Sequence, residues 1–208
     1  MPLIFTLNSK SPDDAALRKA AAVIRSGGIA VYPTETFYGL GVLFNNEEAL
    51  VRLFAAKGRR ETKPVLLLIE SSGSLDQLTP EIMPEAVALA KRWWPGPLTM
   101  LFKALPHLSL YLTGDEGKIG CRVSSSRIAR RLVELAGAPI TSTSANLAGG
   151  PSAATIAGIP EKLLNGIDVI LDAGATPGGL ASTLLDVTTR PFTVVREGAI
   201  AAGQLLEH

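Results

Sequence analysis

Residues 11–41 read SPDDAALRKAAAVIRSGGIAVYPTETFYGLG, and this stretch predicts a helix that leads into a buried strand. Ser11 is placed to cap the helix, Pro12 suits its first turn, and apolar residues at helical spacing give it one buried face. The glycines at 27–28 end the helix. The apolar run that follows ends at Pro33, as expected of a strand. The stretch therefore indicates an α/β fold, in which helices cover a sheet.

The alternation of helical and extended patterns continues along the chain. Helices are predicted within residues 45–59 (opened by Asn45 or Asn46), 80–94, 124–137 and 160–167. Strands are predicted within residues 39–44, 63–69, 97–104, 118–123, 138–144, 169–174, 182–188 and 192–198. Because strands alternate with helices early and two strands adjoin at the end, we predict a single α/β domain with a twisted mixed β-sheet and helices on both sides.

The composition limits the classes of function. The chain has 208 residues, 47% of them hydrophobic and 19% charged, with a formal net charge of +1. A nucleic-acid role would therefore need a local basic patch. The single cysteine, Cys121, excludes a disulfide framework and fits a reducing compartment. Since the sequence offers no signal peptide and no apolar run near the ~20 residues of a membrane span, we expect a cytoplasmic protein without a membrane partner.

Several kinds of catalytic site lack their residues. The histidines are His107 and the terminal His208, which makes a Ser-His-Asp triad improbable and excludes a zinc site built from Cys and His. No GxGxxG motif occurs, and LTGDEGKIG (112–120) has glycine spacing too short for a phosphate loop. We therefore expect a turn at 112–120.

Cationic and hydroxyl side chains form the remaining candidate sites. KGRRETKP (57–64) precedes a predicted strand, TSTSAN (141–146) ends one, and YPTETFYGLG (32–41) contains Thr34, Glu35 and Thr36. Arg122 and Arg196 each end a strand, and an arginine in a buried strand usually has an anionic partner. Hydroxyls and backbone amides where strands end can bind phosphate or carboxylate oxygens. The anionic partner of Arg122 or Arg196 is either a ligand or a carboxylate of the protein itself.

Taken together, these segments resemble the YrdC-type family of threonylcarbamoyl-AMP synthases. The resemblance runs from about residue 13 to 201. It is carried by YPTETFYGLG (32–41), Lys57-Gly58-Arg59, Lys63-Pro64, WPGPLT (94–99), Ser144-Ala145-Asn146, GGPS (149–152), STLLDVT (182–188) and VVREGAI (194–200). Each motif is weak alone, but their joint order and spacing is specific. The resemblance implies a large cationic cavity. We expect one domain over residues 1–208, without the additional C-terminal domain that longer members of the family carry.

The activity that the resemblance implies joins L-threonine, bicarbonate and ATP into threonylcarbamoyl-AMP and pyrophosphate, which begins N6-threonylcarbamoyladenosine formation in tRNA. Mg²⁺ is implied as a companion of the triphosphate, and a tRNA threonylcarbamoyl transferase machinery as the downstream partner. The resemblance places the threonine pocket on Thr36, Leu68, Arg122, Ser142 and Ser182. It places the nucleotide pocket on Arg59, Lys63, Lys118, Ser144, Asn146, Ser152 and Arg196, with Lys57 and Arg59 as candidate catalytic residues.

The chain departs from the family pattern at four places. Arg60 stands where the family usually has Pro, Leu68 where it commonly has His, and Lys118 where it commonly has Thr. RVSSSR (122–127) replaces Arg-x-Pro-x-His-Pro and resembles the YciO branch, although that branch lacks the Ser-x-Asn motif present here.

These departures leave alternatives open. One is a module that binds tRNA or double-stranded RNA, and another is a YciO-like nucleotide-binding paralogue that takes a different acceptor amine or none. A third is an amidohydrolase that uses Ser142 or Ser144 with Lys57.

Overall fold

The computed structural model of the protein describes residues 2–58 and 64–206, in which strands and helices alternate along most of the chain. The strands are β1 (Leu3–Thr6), β2 (Ala30–Pro33), β3 (Tyr38–Gly41), β4 (Leu67–Leu68), β5 (Leu98–Lys103), β6 (Lys118–Arg122), β7 (Ile140–Thr141), β8 (Thr143–Ser144), β9 (Val169–Asp172), β10 (Thr183–Asp186) and β11 (Thr193–Arg196). The helices are α1 (Asp14–Arg25), α2 (Glu47–Lys57), α3 (Pro84–Trp93), α4 (Leu110–Thr113), α5 (Arg127–Ala136), α6 (Glu161–Leu164) and α7 (Ala202–Leu206).

The strands form two mixed sheets. The first has the order β1-β9-β2-β3-β8 and the second the order β11-β10-β5-β6-β4-β7. Each contains parallel pairs, such as β1 with β9 and β5 with β10, and antiparallel pairs, such as β2 with β3 and β5 with β6. The predicted α/β class is confirmed, and the mixed sheet expected from the sequence is divided in two.

The polar segment 140–144 connects the two sheets. β7 pairs with β4 in the second sheet, whereas β8 pairs with β3 in the first. Ser142 lies between the two short strands, and its backbone N–H donates to the carbonyl of Leu66 at 2.8 Å. The strand predicted over 138–144 is therefore two short ladders, and its hydroxyl side chains lie where the sheets approach each other.

Two apolar cores lie on the two faces of the first sheet. Because side chains alternate along a strand, Val31 of β2 joins one apolar core while Ala30 and Tyr32 join the other. The second of these cores contains the buried faces of α1 and α5, which pack against each other. The first core contains Leu50 and Leu53 of α2, so helical residues belong to both cores.

Helix caps are set by individual side chains. The cap predicted at Ser11 is wrong, because the carboxylate of Asp13 accepts from the N–H of Ala15 at 2.9 Å and α1 begins at Asp14. The prediction for α2 is confirmed at Asn46, whose side chain accepts from Ala49 at 3.0 Å. A carboxylate at the cap also favours the positive end of the helix, which a serine does not.

In the part of the chain that the structure describes, none of the helices has the length and apolar character required to cross a membrane.

Candidate functional site

Residues from both sheets line a cavity of about 610 Å³. Gly39 and Thr143 come from the first sheet, and Leu101 and Gly120 come from the second. Eight residues predicted from the sequence line this cavity, namely Thr36, Lys118, Arg122, Ser142, Ser144, Ser152, Ser182 and Arg196. Positions that are distant in the sequence therefore share one concave surface.

Three other predicted site residues that the structure describes do not line this cavity. Leu68 is 1% exposed and belongs to the core beneath α1 and α5, so the structure does not bring it into the cavity wall. Lys57 and Asn146 are buried behind the wall. Arg59 and Lys63 lie outside the described residues.

Arg122 contributes a buried positive charge to the cavity. Its side chain is 4% exposed, and its Nη1 atom lies 3.5 Å from Oε1 of Glu35. The hydroxyl of Ser124 donates to the other carboxylate oxygen of Glu35. Among the described residues, neither Nε of Arg122 nor Oε1 of Glu35 has a hydrogen-bond partner. The guanidinium is therefore paired in charge but retains donors for a ligand.

Arg196 supplies a second guanidinium. Its Nη2 donates to the carbonyl of Ser182 at 2.9 Å, and the Ser182 hydroxyl lies 2.9 Å from the hydroxyl of Thr99. Burial, followed by the nearby charge of Arg122, lowers the pKa of Arg196. Two positive charges in the wall of one cavity favour a bound anion, because an anion relieves their repulsion.

Lys57 organises the turn that follows β8. Its ammonium, 1% exposed, donates to the backbone carbonyl of Ser144, to that of Asn146 at 2.8 Å, and to Oδ1 of Asn146 at 3.4 Å. The Ser144 hydroxyl in turn donates to Oδ1 of Asn146, and Nδ2 of Asn146 donates to the carbonyl of Gly150. These bonds fix the Ser-x-Asn segment against the end of α2, which places Ser144 in the cavity wall.

Lys118 lies in a charged network at another part of the wall. Its ammonium is 2.9 Å from Asp186 and 3.1 Å from Glu116, and the hydrogen bonds to these two carboxylates raise the pKa of Lys118. Burial alone would raise the pKa of Asp186, but hydrogen bonds from Thr188 and Lys118 lower it. A ligand phosphate at Lys118 would therefore compete with two carboxylates.

Sequence reasoning missed the ionic partners of these cations. Glu35 and Asp186 both lie inside motifs quoted above, but nothing local assigns them to Arg122 and Lys118. The sequence did offer one indication, because a buried arginine is expected to have an anionic partner. In the structure Glu35 is such a partner for Arg122, through one ion pair. The buried thiol of Cys121 is not a candidate nucleophile, because burial raises its pKa.

The arrangement suits anion binding and positioning. Guanidinium groups bind carboxylates and phosphates through paired donors, and hydroxyls and backbone amides complete such sites. Hydroxyl groups of Thr36, Ser142 and Ser182 lie in the same cavity as the two arginines. The cavity therefore offers donors suited to carboxylate and phosphate oxygens.

Comparison with known proteins gives consistent matches. A family model named Sua5/YciO/YrdC, described as telomere recombination, matches residues 22–198. Threonylcarbamoyl-AMP synthase of Pyrococcus abyssi is 39% identical over 184 residues, which cover 88% of this chain and 54% of that protein. The chain thus spans about half the length of that relative.

Solved structures agree with the sequence matches. Sua5 of P. abyssi, determined in complex with L-threonine, superposes with a TM-score of 0.93 at 35% identity, covering 99% of this chain and 61% of that one. YciO of E. coli superposes with a TM-score of 0.87 at 27% identity, covering 99% of this chain and 100% of that one.

Proposed function

The chain belongs to the Sua5/YciO/YrdC family, and on this premise we propose that it joins L-threonine, bicarbonate and ATP into threonylcarbamoyl-AMP and pyrophosphate. The observation that carries the proposal is the buried guanidinium of Arg122, whose Nε atom has no hydrogen-bond partner among the described residues and which lines the same cavity as the guanidinium of Arg196. The relative that shares this fold at a TM-score of 0.93 was determined with L-threonine.

The threonine carboxylate binds Arg122 in this proposal. Thr36, Ser142 and Ser182 line the same cavity and offer hydroxyls to the rest of the amino acid. The carboxylate is the one group of threonine that carries a full negative charge, and a buried guanidinium is its strongest partner. Leu68 has no part in this pocket, because its side chain is enclosed in the core.

The triphosphate occupies the part of the cavity near Arg196, Ser144, Ser152 and Lys118. Mg²⁺ enters as part of the nucleotide substrate and is held mainly by phosphates and water. Lys57 and Asn146 position Ser144 from behind the wall. Arg59 and Lys63 stay predictions for the same pocket.

The chemistry needs no protein nucleophile. The threonine amine condenses with bicarbonate to give a carbamate and water, and a carbamate oxygen then attacks the α-phosphorus of ATP while pyrophosphate leaves. The nucleophile comes from the substrate, so the protein contributes positioning and stabilises negative charge on the phosphorus oxygens. The product is an activated carbamoyl donor, suited to a transferase that modifies tRNA.

The test measures pyrophosphate release with each substrate omitted in turn. We expect release to require ATP, L-threonine and bicarbonate together, and mass spectrometry to detect threonylcarbamoyl-AMP. Release at an unchanged rate without threonine would exclude this function.

A YciO-like role is the second candidate. YciO shares this fold at a TM-score of 0.87, and the RVSSSR segment departs from the synthase pattern. In that case the protein binds a nucleotide, or double-stranded RNA, without threonine-dependent turnover. The omission assay separates the two candidates, and a gel shift with double-stranded RNA at two salt concentrations tests the RNA branch.

A further inference from the structure

Glu35 is held behind Arg122 by a residue that departs from the family pattern. Its Oε2 accepts from the hydroxyl of Ser124, the third residue of RVSSSR, where the family pattern has proline. Its Oε1 lies 3.5 Å from Nη1 of Arg122 and is buried without a hydrogen-bond partner among the described residues. The carboxylate is thus fixed by Ser124 and directs its charge at Arg122.

The two charged groups face different cavities. Arg122 lines the 610 Å³ cavity, whereas Glu35 lines a second cavity of about 700 Å³. Thr34 lines both and marks the partition between them. Glu35 therefore acts on a ligand in the first cavity through its charge, and not through contact with the ligand.

A charge at this position distinguishes two kinds of carboxylic acid. The field of Glu35 repels the carboxylate of any ligand bound to Arg122. An α-amino acid also carries an ammonium group within a few ångströms of its carboxylate, and Glu35 attracts that group. The two contributions nearly cancel for the zwitterion, whereas the repulsion stands uncompensated for an acid without the amine.

We propose that Glu35 is a specificity-determining residue that makes the Arg122 site select zwitterionic amino acids over simple carboxylates. The inference rests on the proposed function, since it takes the substrate carboxylate to bind Arg122. Two unit charges about 7 Å apart at an effective dielectric constant of about 20 change a binding constant by more than tenfold. Because Glu35 retains some contact with water, we expect an effect of about tenfold on the ratio of the two affinities.

The experiment measures dissociation constants by calorimetry or NMR titration for matched pairs of ligands. The pairs are L-threonine with 3-hydroxybutyrate, L-serine with 3-hydroxypropionate, and L-alanine with propionate. Glu35→Gln removes the charge but keeps the shape and an acceptor for Ser124, and Glu35→Asp restores the charge. Glu48→Gln, at an exposed position of α2, is the control for loss of a carboxylate elsewhere. A change in the orientation of Arg122 alters the affinity for both ligands of a pair, so it cancels in the ratio of their dissociation constants.

We expect Glu35→Gln to lower the preference for the amino acid about tenfold, while Glu35→Asp and Glu48→Gln keep it near the wild-type value. An unchanged preference in a folded Glu35→Gln protein would overturn the inference. If Glu35→Gln does not fold, the wild-type protein provides the test. Equal affinity of the wild type for threonine and 3-hydroxybutyrate would also overturn the inference.

The same experiment separates this inference from the proposed function. A charge-dependent preference for serine or alanine, without threonine-dependent pyrophosphate release, would support the role of Glu35 and reject threonine as the substrate. Threonine-dependent release with no effect of Glu35→Gln on the ligand ratio would support the function and reject the role of Glu35.

Discussion

Replacing Lys57 by methionine tests whether this lysine holds the Ser-x-Asn turn in place. The ammonium of Lys57 is 1% exposed and donates to the backbone carbonyls of Ser144 and Asn146. Methionine fills a similar volume but donates no hydrogen bond, so both carbonyls lose their charged donor.

The magnitude follows from these two bonds. A buried hydrogen bond to a charged group contributes about 2 kcal/mol, so the loss of two costs about 4 kcal/mol. Removing the ammonium also relieves the cost of its burial, which offsets part of this loss. We therefore expect Lys57→Met to lower the free energy of unfolding by about 3 kcal/mol.

Urea unfolding measures this free energy directly. Lys91→Met in α3 is the matched control, because Lys91 is exposed and a surface substitution changes stability by less than about 0.5 kcal/mol. If the two variants unfold at the same urea concentration, Lys57 does not stabilise the turn. A large loss of activity at unchanged stability would instead support the catalytic role predicted for Lys57 from the sequence.

Three further predictions concern the cavity wall and the segment that follows Arg196. Arg196→Ala should lower threonine-dependent pyrophosphate release at least a hundredfold, since about 3 kcal/mol of charge stabilisation is lost, and an unchanged rate would contradict the placement of the triphosphate. Because the pKa of Asp186 is lowered in the folded state, its pairing with Lys118 stabilises the protein above about pH 4 and is lost as the pH falls through the lowered pKa. The free energy of unfolding, measured between pH 6 and pH 2, should therefore fall less steeply with decreasing pH in Asp186→Asn than in the wild type. Gly198→Ala should lower the free energy of unfolding by about 2 kcal/mol or more, because a Cβ atom there would lie 2.2 Å from the carbonyl oxygen of Ala181; a wild-type melting temperature would show that the segment adapts.

Family membership was predicted from the joint order of short motifs, and the family model that matches residues 22–198 confirms it. Most strands and helices were also predicted, because caps, apolar spacing and glycines act within a few residues. Asn46 caps α2 and Pro33 ends β2 as expected. One strand is an exception. β1 was not predicted, since its side chains are largely exposed and it carries no alternating pattern.

The candidate site was predicted in its residue types but not in its connections. Eight of the named residues line one cavity, while Leu68 is enclosed in the core. The Leu68 assignment came from a motif position alone. Val65 and Leu66 line the cavity just before β4, whereas Leu68, two positions beyond Leu66, is enclosed by the core with α1 and α5. The position along this segment, which the motif does not encode, decides whether a side chain reaches the cavity.

The sequence by itself determined the local elements, the small number of histidine and cysteine side chains, and the supply of arginine and hydroxyl groups. Only the tertiary structure decided which charges meet. Ser124 reaches Glu35 across 89 positions of the chain, and Lys57 reaches the Ser144 carbonyl across 87. Such pairs form because two sheets come together along residues 140–144, and no short-range pattern of side chains encodes a contact of that separation.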